Sequence, residues 1–87
     1  SQNYPNPFNP NTKIEFKTPM MEQVNVSVYN LEGRLVNTLV NQVMPAGNHV
    51  VSWDGTNEIG AKVSTGMYIY QLKTNSTMLT RRMTFIK

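Results

Sequence analysis

The densest run of groups able to do chemistry is Trp53-Asp54-Gly55-Thr56-Asn57-Glu58-Ile59-Gly60. Asp54, Asn57 and Glu58, together with nearby carbonyls, offer the oxygen ligands that Ca²⁺ takes in sets of roughly six to eight. Their spacing departs from the EF-hand loop, which sets oxygens at alternate positions and closes on a bidentate Glu at the twelfth. The simpler reading is that Asp54 accepts hydrogen bonds from backbone amides just beyond it, while Gly55 and Gly60 take left-handed conformations. No metal or other cofactor is expected, and Asp54, Asn57 and Glu58 remain as a weak calcium candidate.

The single imidazole, His49, has no acid or second His near it in sequence to pair with; it alternates with Val51 and Trp53, and Ser52 falls on the other face of that strand. It reads as a half-buried structural residue. A nucleophile elbow, a phosphate-cradling glycine loop and a usefully spaced carboxylate pair are all missing from the sequence. With five acidic residues and no Cys, the chain is expected not to be an enzyme. The net charge of +3 is scattered, and only Arg81 and Arg82 are adjacent basic residues. Nucleic acid and membrane insertion are therefore not expected partners. No stretch approaches the roughly 20 apolar residues of a membrane helix, and the N-terminus lacks the pattern of a signal peptide. An opening of Ser1-Gln2-Asn3 reads as a piece of a longer protein, with a parent ahead of Ser1.

Such groups must be positioned by one small core, since 87 residues bury only about 60% of their unfolded surface. Apolar residues recur at every second position, which is the signature of strands half in the core and half in water. Ile14 and Phe16 form one such series, and Val24, Val26 and Val28 a second. Residues 34–40 carry apolar groups on both faces, as a more buried or bulged strand would. His49, Val51 and Trp53 share a face of the next strand. Tyr68, Tyr70 and Leu72 do so in residues 67–73, and Leu79, Met83 and Phe85 in residues 78–86. The predicted core includes Phe16, Val26, Val28, Val51, Trp53, Tyr68, Tyr70 and Met83.

Turn residues punctuate the series. Asn30-Leu31-Glu32-Gly33 suits a tight hairpin, Pro45-Ala46-Gly47 and Asn75-Ser76 separate further strands, and a long polar connection fills residues 54–65. No helical period is present. The pattern predicts an all-β chain, an antiparallel β-sandwich of about seven strands of immunoglobulin or fibronectin III-like kind, with a small barrel as the alternative. Residues 12–87 form this one domain. Residues 1–11 form an extended Pro-rich leader, because three prolines between Pro5 and Pro10 remove backbone donors. Tyr4 and Phe8 are expected to staple it onto the sandwich. A sugar-stacking platform would need two or three exposed aromatics on one face. Trp53, Tyr68 and Tyr70 are needed in the core, which leaves Tyr29 alone.

Several segments in order carry a resemblance: the leader Asn3-Tyr4-Pro5-Asn6-Pro7-Phe8-Asn9-Pro10, the hairpin Tyr29-Asn30-Leu31-Glu32-Gly33, the run Ala46-Gly47-Asn48-His49 through Trp53-Asp54-Gly55, and Thr65-Gly66-Met67-Tyr68. With the basic end Arg81-Arg82-Met83-Thr84-Phe85-Ile86-Lys87, the chain resembles the C-terminal sorting domains of the bacterial type IX secretion system. These overlap with the immunoglobulin-like domain of the flagellar hook-capping protein. The resemblance implies a non-catalytic secretion signal on a larger exported protein, recognised by an outer-membrane translocon and cut by a sortase-like peptidase. It implies passage through the periplasm to the cell surface or medium. It also implies recognition through Gly66, Tyr68, Arg82, Phe85, Ile86 and Lys87. Two alternatives stand beside it: a structural, assembly module of hook-capping type, and a carbohydrate-binding accessory domain of a secreted glycoside hydrolase.

Overall fold

The computed structural model describes residues 11–87. The Pro-rich leader, and the expectation that Tyr4 and Phe8 pack it onto the domain, lie outside the described residues. Within them the alternating series become six strands: β1 Thr12–Thr18, β2 Glu22–Asn30, β3 Leu35–Met44, β4 Gly47–Trp53, β5 Gly66–Thr74 and β6 Met78–Phe85. All pairings are antiparallel, and no described residue is helical. The expected immunoglobulin-like sandwich is therefore present, with six strands among the described residues where about seven were predicted.

The two sheets are unequal. β1 and β4 form a ribbon, and β3-β2-β5-β6 form the larger sheet. β2 sits inside that sheet because Val24, Val26 and Val28 give it an unbroken apolar face, and all three are fully buried. Burying each is worth about 1.5–3 kcal/mol in transfer terms. From the ribbon, Ile14 meets Val24, Val26 and Leu72 in one half of the core. Trp53 meets Val28, Tyr68 and Phe85 in the other.

β3 is not the more buried strand that its apolar content allows. It is an edge strand, and its register against β2 slips between Val26 and Ser27 and again between Val28 and Tyr29. The skipped residues are Leu39 and Val36, and both pack against the core. An extra residue in one strand lets neighbours on the same strand turn inward, which explains apolar residues on both nominal faces. The predicted core also needs adjustment in depth. Phe16, Tyr70 and Met83 pack against it while only partly buried, and Val51 is half-buried. Ile14, Val24, Leu72 and Phe85 are the deeper residues. Phe16 and Val51 lie on the two-stranded ribbon, which is too narrow to cover a four-stranded sheet, so Tyr70 and Met83 on the larger sheet are also left partly open.

Glu22 is 5% exposed at the start of β2. Ser76 Oγ donates to its carboxylate oxygens at 3.2 and 3.4 Å, so the β5–β6 turn is tied to β2. His49 stacks at 5.3 Å on Phe16, and its Nε2 lies 2.8 Å from the Pro45 carbonyl, which requires that nitrogen to be the donor. Thr18 Oγ1 donates to the same carbonyl at 2.8 Å. The imidazole thus clamps the β3–β4 turn.

Candidate functional site: the loop end of the sandwich

The residues with the strongest sequence signals gather at one end. There β1 begins opposite Trp53, β2 turns into β3, the 54–65 connection leaves β4, and β6 ends opposite Gly66. Trp53 is fully buried, with the Tyr68 ring edge-on at 5.2 Å and the Phe85 ring tilted at 5.2 Å. Its indole N–H is satisfied by the Thr56 carbonyl at 2.8 Å. The Tyr68 hydroxyl donates to the Ser64 carbonyl at 2.7 Å, so the aromatic cluster also anchors both ends of the long connection.

Gly55 is required twice at this end. Its φ is +82°, a conformation that L side chains rarely adopt, and a Cβ built on it would fall inside the Phe85 ring. The run Trp53-Asp54-Gly55 is therefore a packing device in which the glycine leaves room for an aromatic contributed by the last strand.

Two turns at this end are built alike. Asn30 Oδ1 accepts from the backbone N–H groups of Glu32 and Arg34, Gly33 N donates to Asn30 O, and Asn30 N donates to Arg34 O. Asn57 Oδ1 accepts from Ile59 and Ala61, Gly60 N donates to Asn57 O, and Asn57 N donates to Ala61 O. The glycines have φ of +86° and +87°. The shared Asn-x-x-Gly signal is in the sequence; Gly60 takes the left-handed conformation expected of it, while the role of Asn57 as the acceptor that mirrors Asn30 emerges only in the structure. Asn37, in the double-bulged segment of β3, donates through Nδ2 to the Thr56 carbonyl at 2.8 Å and locks the second turn to the sheet. No local signal marked that role.

Between the turns lies an open groove of about 380 Å³, with Arg34, Leu35 and Val36 on one side and Asn57, Glu58 and Ile59 on the other. Ile59 stands 88% exposed at its rim.

Two of the three calcium candidates, Asp54 and Asn57, are engaged otherwise, and Glu58 stands exposed. Asp54 Oδ1 accepts from the Thr56 hydroxyl at 2.6 Å and from Thr56 N at 3.1 Å, and Asn57 is spent on its turn. The Thr56 hydroxyl holds the Asp54 carboxyl below its ordinary pKa; slight burial opposes this, and the Thr56 amide and Lys62 assist. Among the described residues no group of three or more His, Cys, Asp or Glu is gathered as a metal would need.

The six residues expected to act in recognition are split by the sheet. Tyr68 and Phe85 are in the Trp53 cluster, and Gly66 opens β5 opposite Phe85. Arg82 lies on the other face, opposite Ile69. Ile86 and Lys87 follow the strand exposed, with Lys87 N donating to Thr65 Oγ1 at 3.1 Å. Burial of Trp53 and Tyr68, and partial burial of Tyr70, removes the aromatics that a sugar platform would use.

An immunoglobulin-like sandwich closed by a Trp–Tyr–Phe cluster, with two glycine-ended turns at its rim, defines the class. Residues 3–77 match the family model of the FlgD Ig-like domain, and the chain belongs to that family. It is also similar to the crystal structure of FlgD from P. aeruginosa, with a TM-score of 0.67 and 25% identity over 88% of this chain and 60% of that one. The chain thus spans less than two thirds of that structure. No curated protein matches it.

These findings correct the sorting-signal expectation in favour of its hook-capping alternative. The physical reason lies in the motifs themselves. Trp53-Asp54-Gly55, Tyr68 and Phe85 build the sandwich end, so these segments report packing rather than recognition. The translocon and peptidase entered only through that expectation and are not carried further.

Proposed function

We propose that this domain is a non-catalytic structural module of hook-capping type, making protein–protein contacts within a flagellar assembly outside the cell. The observation that carries the reading is the family match over residues 3–77 to the FlgD Ig-like domain. The loop end supports it. Its Asp54, Asn30 and Asn57 oxygens shape turns, while Leu31 and Ile59 are left 60% and 88% exposed on those rigid turns. Preorganised apolar tips favour binding, because little ordering entropy remains to be lost.

The test is removal of residues 12–87 from the parent protein in the bacterium that encodes it, followed by electron microscopy of hook–basal bodies. Truncated or absent hooks, with hook subunits shed to the medium and parent levels unchanged, are expected. Hooks of normal length and number would overturn the reading.

A further inference from the structure

The outer face of the four-stranded sheet carries a surface of unusual composition. Val24, Val26 and Val28 on β2 and Tyr68 and Leu72 on β5 point into the core, so alternation sends their neighbours outward. The paired rows on that side are Leu35–Tyr29–Ile69–Arg82, Thr38–Ser27–Gln71–Thr80 and Asn41–Asn25–Lys73–Met78. None of these residues is acidic. Of the chain's five acidic residues, Glu22 is buried, Glu15 lies on the β1–β4 ribbon, and Glu32, Asp54 and Glu58 sit in connections.

Both cations of the face, Arg82 and Lys73, are exposed. So are four of its large apolar side chains: Leu35 at 44%, Val43 at 58%, Met67 at 41% and Met78 at 66%. Tyr29 and Ile69 are half-buried between them. The ribbon's outer face is different, because Lys13, Glu15 and Lys17 alternate there in both signs beside Val50. A sheet face that stays in water normally reads like the ribbon, polar and mixed. Tyr29 in the apolar row Leu35–Tyr29–Ile69, with Arg82 at its end and exposed Met67 and Met78 on the same face, is interface composition.

We propose that this face docks a protein surface that lays an apolar part over the Leu35–Tyr29–Ile69 row and sets carboxylates against Arg82 and Lys73. Charge selects the occupant. Two separated cations are too few for a phosphate backbone, whose binding rests on many neutralised phosphates. A second copy would bring a surface with no carboxylate to answer either cation, and an isologous contact must be self-complementary. Four strands at about 4.8 Å and eight residues at about 3.3 Å span roughly 500 Å². That is less than the roughly 800 Å² per partner of a standard stable interface, so the contact belongs to the weaker, salt-sensitive class. None of this depends on the hook-capping reading.

The experiment places a photo-crosslinking amino acid at Gln71 or Thr80, and at Lys17 on the ribbon as control, in the full parent protein in its own cells. Adducts are expected from the first two positions and not from Lys17, to a partner peptide that contains Asp or Glu. Their yield should fall roughly fivefold or more in Arg82→Glu and recover when the partner carboxylate is exchanged for Lys. Circular dichroism melting checks that the variant folds, and Lys73→Glu makes the same charge test if it does not. Five outcomes overturn the proposal: no adduct; equal yield from Lys17; adducts to another copy or to residues 1–10 of the same chain; adducts to lipid or nucleic acid; or a yield indifferent to charge reversal. Hook morphology reports on the function separately, so the two ideas fail independently.

Discussion

Replacing Gly55 with Ala tests whether the Trp53-Asp54-Gly55 run is a packing device. Two penalties combine there. Holding an L residue at a φ of +82° costs about 1–2 kcal/mol. The added methyl must also displace the Phe85 ring, which contacts Trp53 at 5.2 Å; overpacking of this kind costs about 1–3 kcal/mol. The sum, roughly 2–5 kcal/mol, is a large share of the total stability expected for 87 residues, about 4–13 kcal/mol at typical per-residue values.

Gly60 supplies the control, since its φ is +87° and nothing lies within 4 Å of its would-be Cβ. Gly60→Ala should lose only the backbone part, about 1–2 kcal/mol. Urea denaturation followed through Trp53 fluorescence reads both, because Trp53 is the one indole in the chain. In a double-mutant cycle, Phe85→Leu should cost less in the Gly55→Ala background than alone. Equal losses for Gly55→Ala and Gly60→Ala, with no coupling to Phe85, would refute the argument.

Tyr68→Phe removes the donor to the Ser64 carbonyl and should cost about 0.5–1.5 kcal/mol, read as a lower urea midpoint at unchanged slope. Asn57→Ala strips the acceptor shared by Ile59 and Ala61. Amide exchange at those two positions should rise by about tenfold, as roughly 1.4 kcal/mol of local opening energy is lost, while Glu32 and Arg34 in the sister turn stay protected. Asp54 carries a lowered carboxyl pKa, so its stabilisation is present above the unfolded carboxylate value, near 3.9, and is lost as pH falls through the folded value. Solvent screening keeps the effect small. Asp54→Asn should therefore weaken the protein at pH 7 and converge on the parent toward pH 2; a gap independent of pH would contradict that assignment.

The strands and the larger part of the core were legible because each depends on residues two apart. Val24, Val26 and Val28 announce a buried face before any partner is known, and the Asn30 turn announces its glycine. β3 was legible only as an ambiguity. Its two bulges are a matter of register against β2, and nothing within residues 34–40 says which apolar groups will be pulled inward. Asn37 shows the same limit, since its partners lie about twenty residues on. The functional assignment misled for a related reason: the most distinctive segments are those the sandwich needs for packing, so they mark the fold more strongly than the task.

The sequence alone determined a small, Cys-free β-sandwich whose turns sit where Asn and Gly stand. Those properties follow from backbone sterics and side-chain alternation over a few residues, which act before the chain closes on itself. Tertiary structure decided that two strands face four, that the last strand's Phe85 fills the space over Gly55, and that Arg82 shares a face with Leu35. It also decided that the five acidic residues all stand off that face. Such juxtapositions come from packing and strand order between residues far apart in the chain, and no local pattern encodes them.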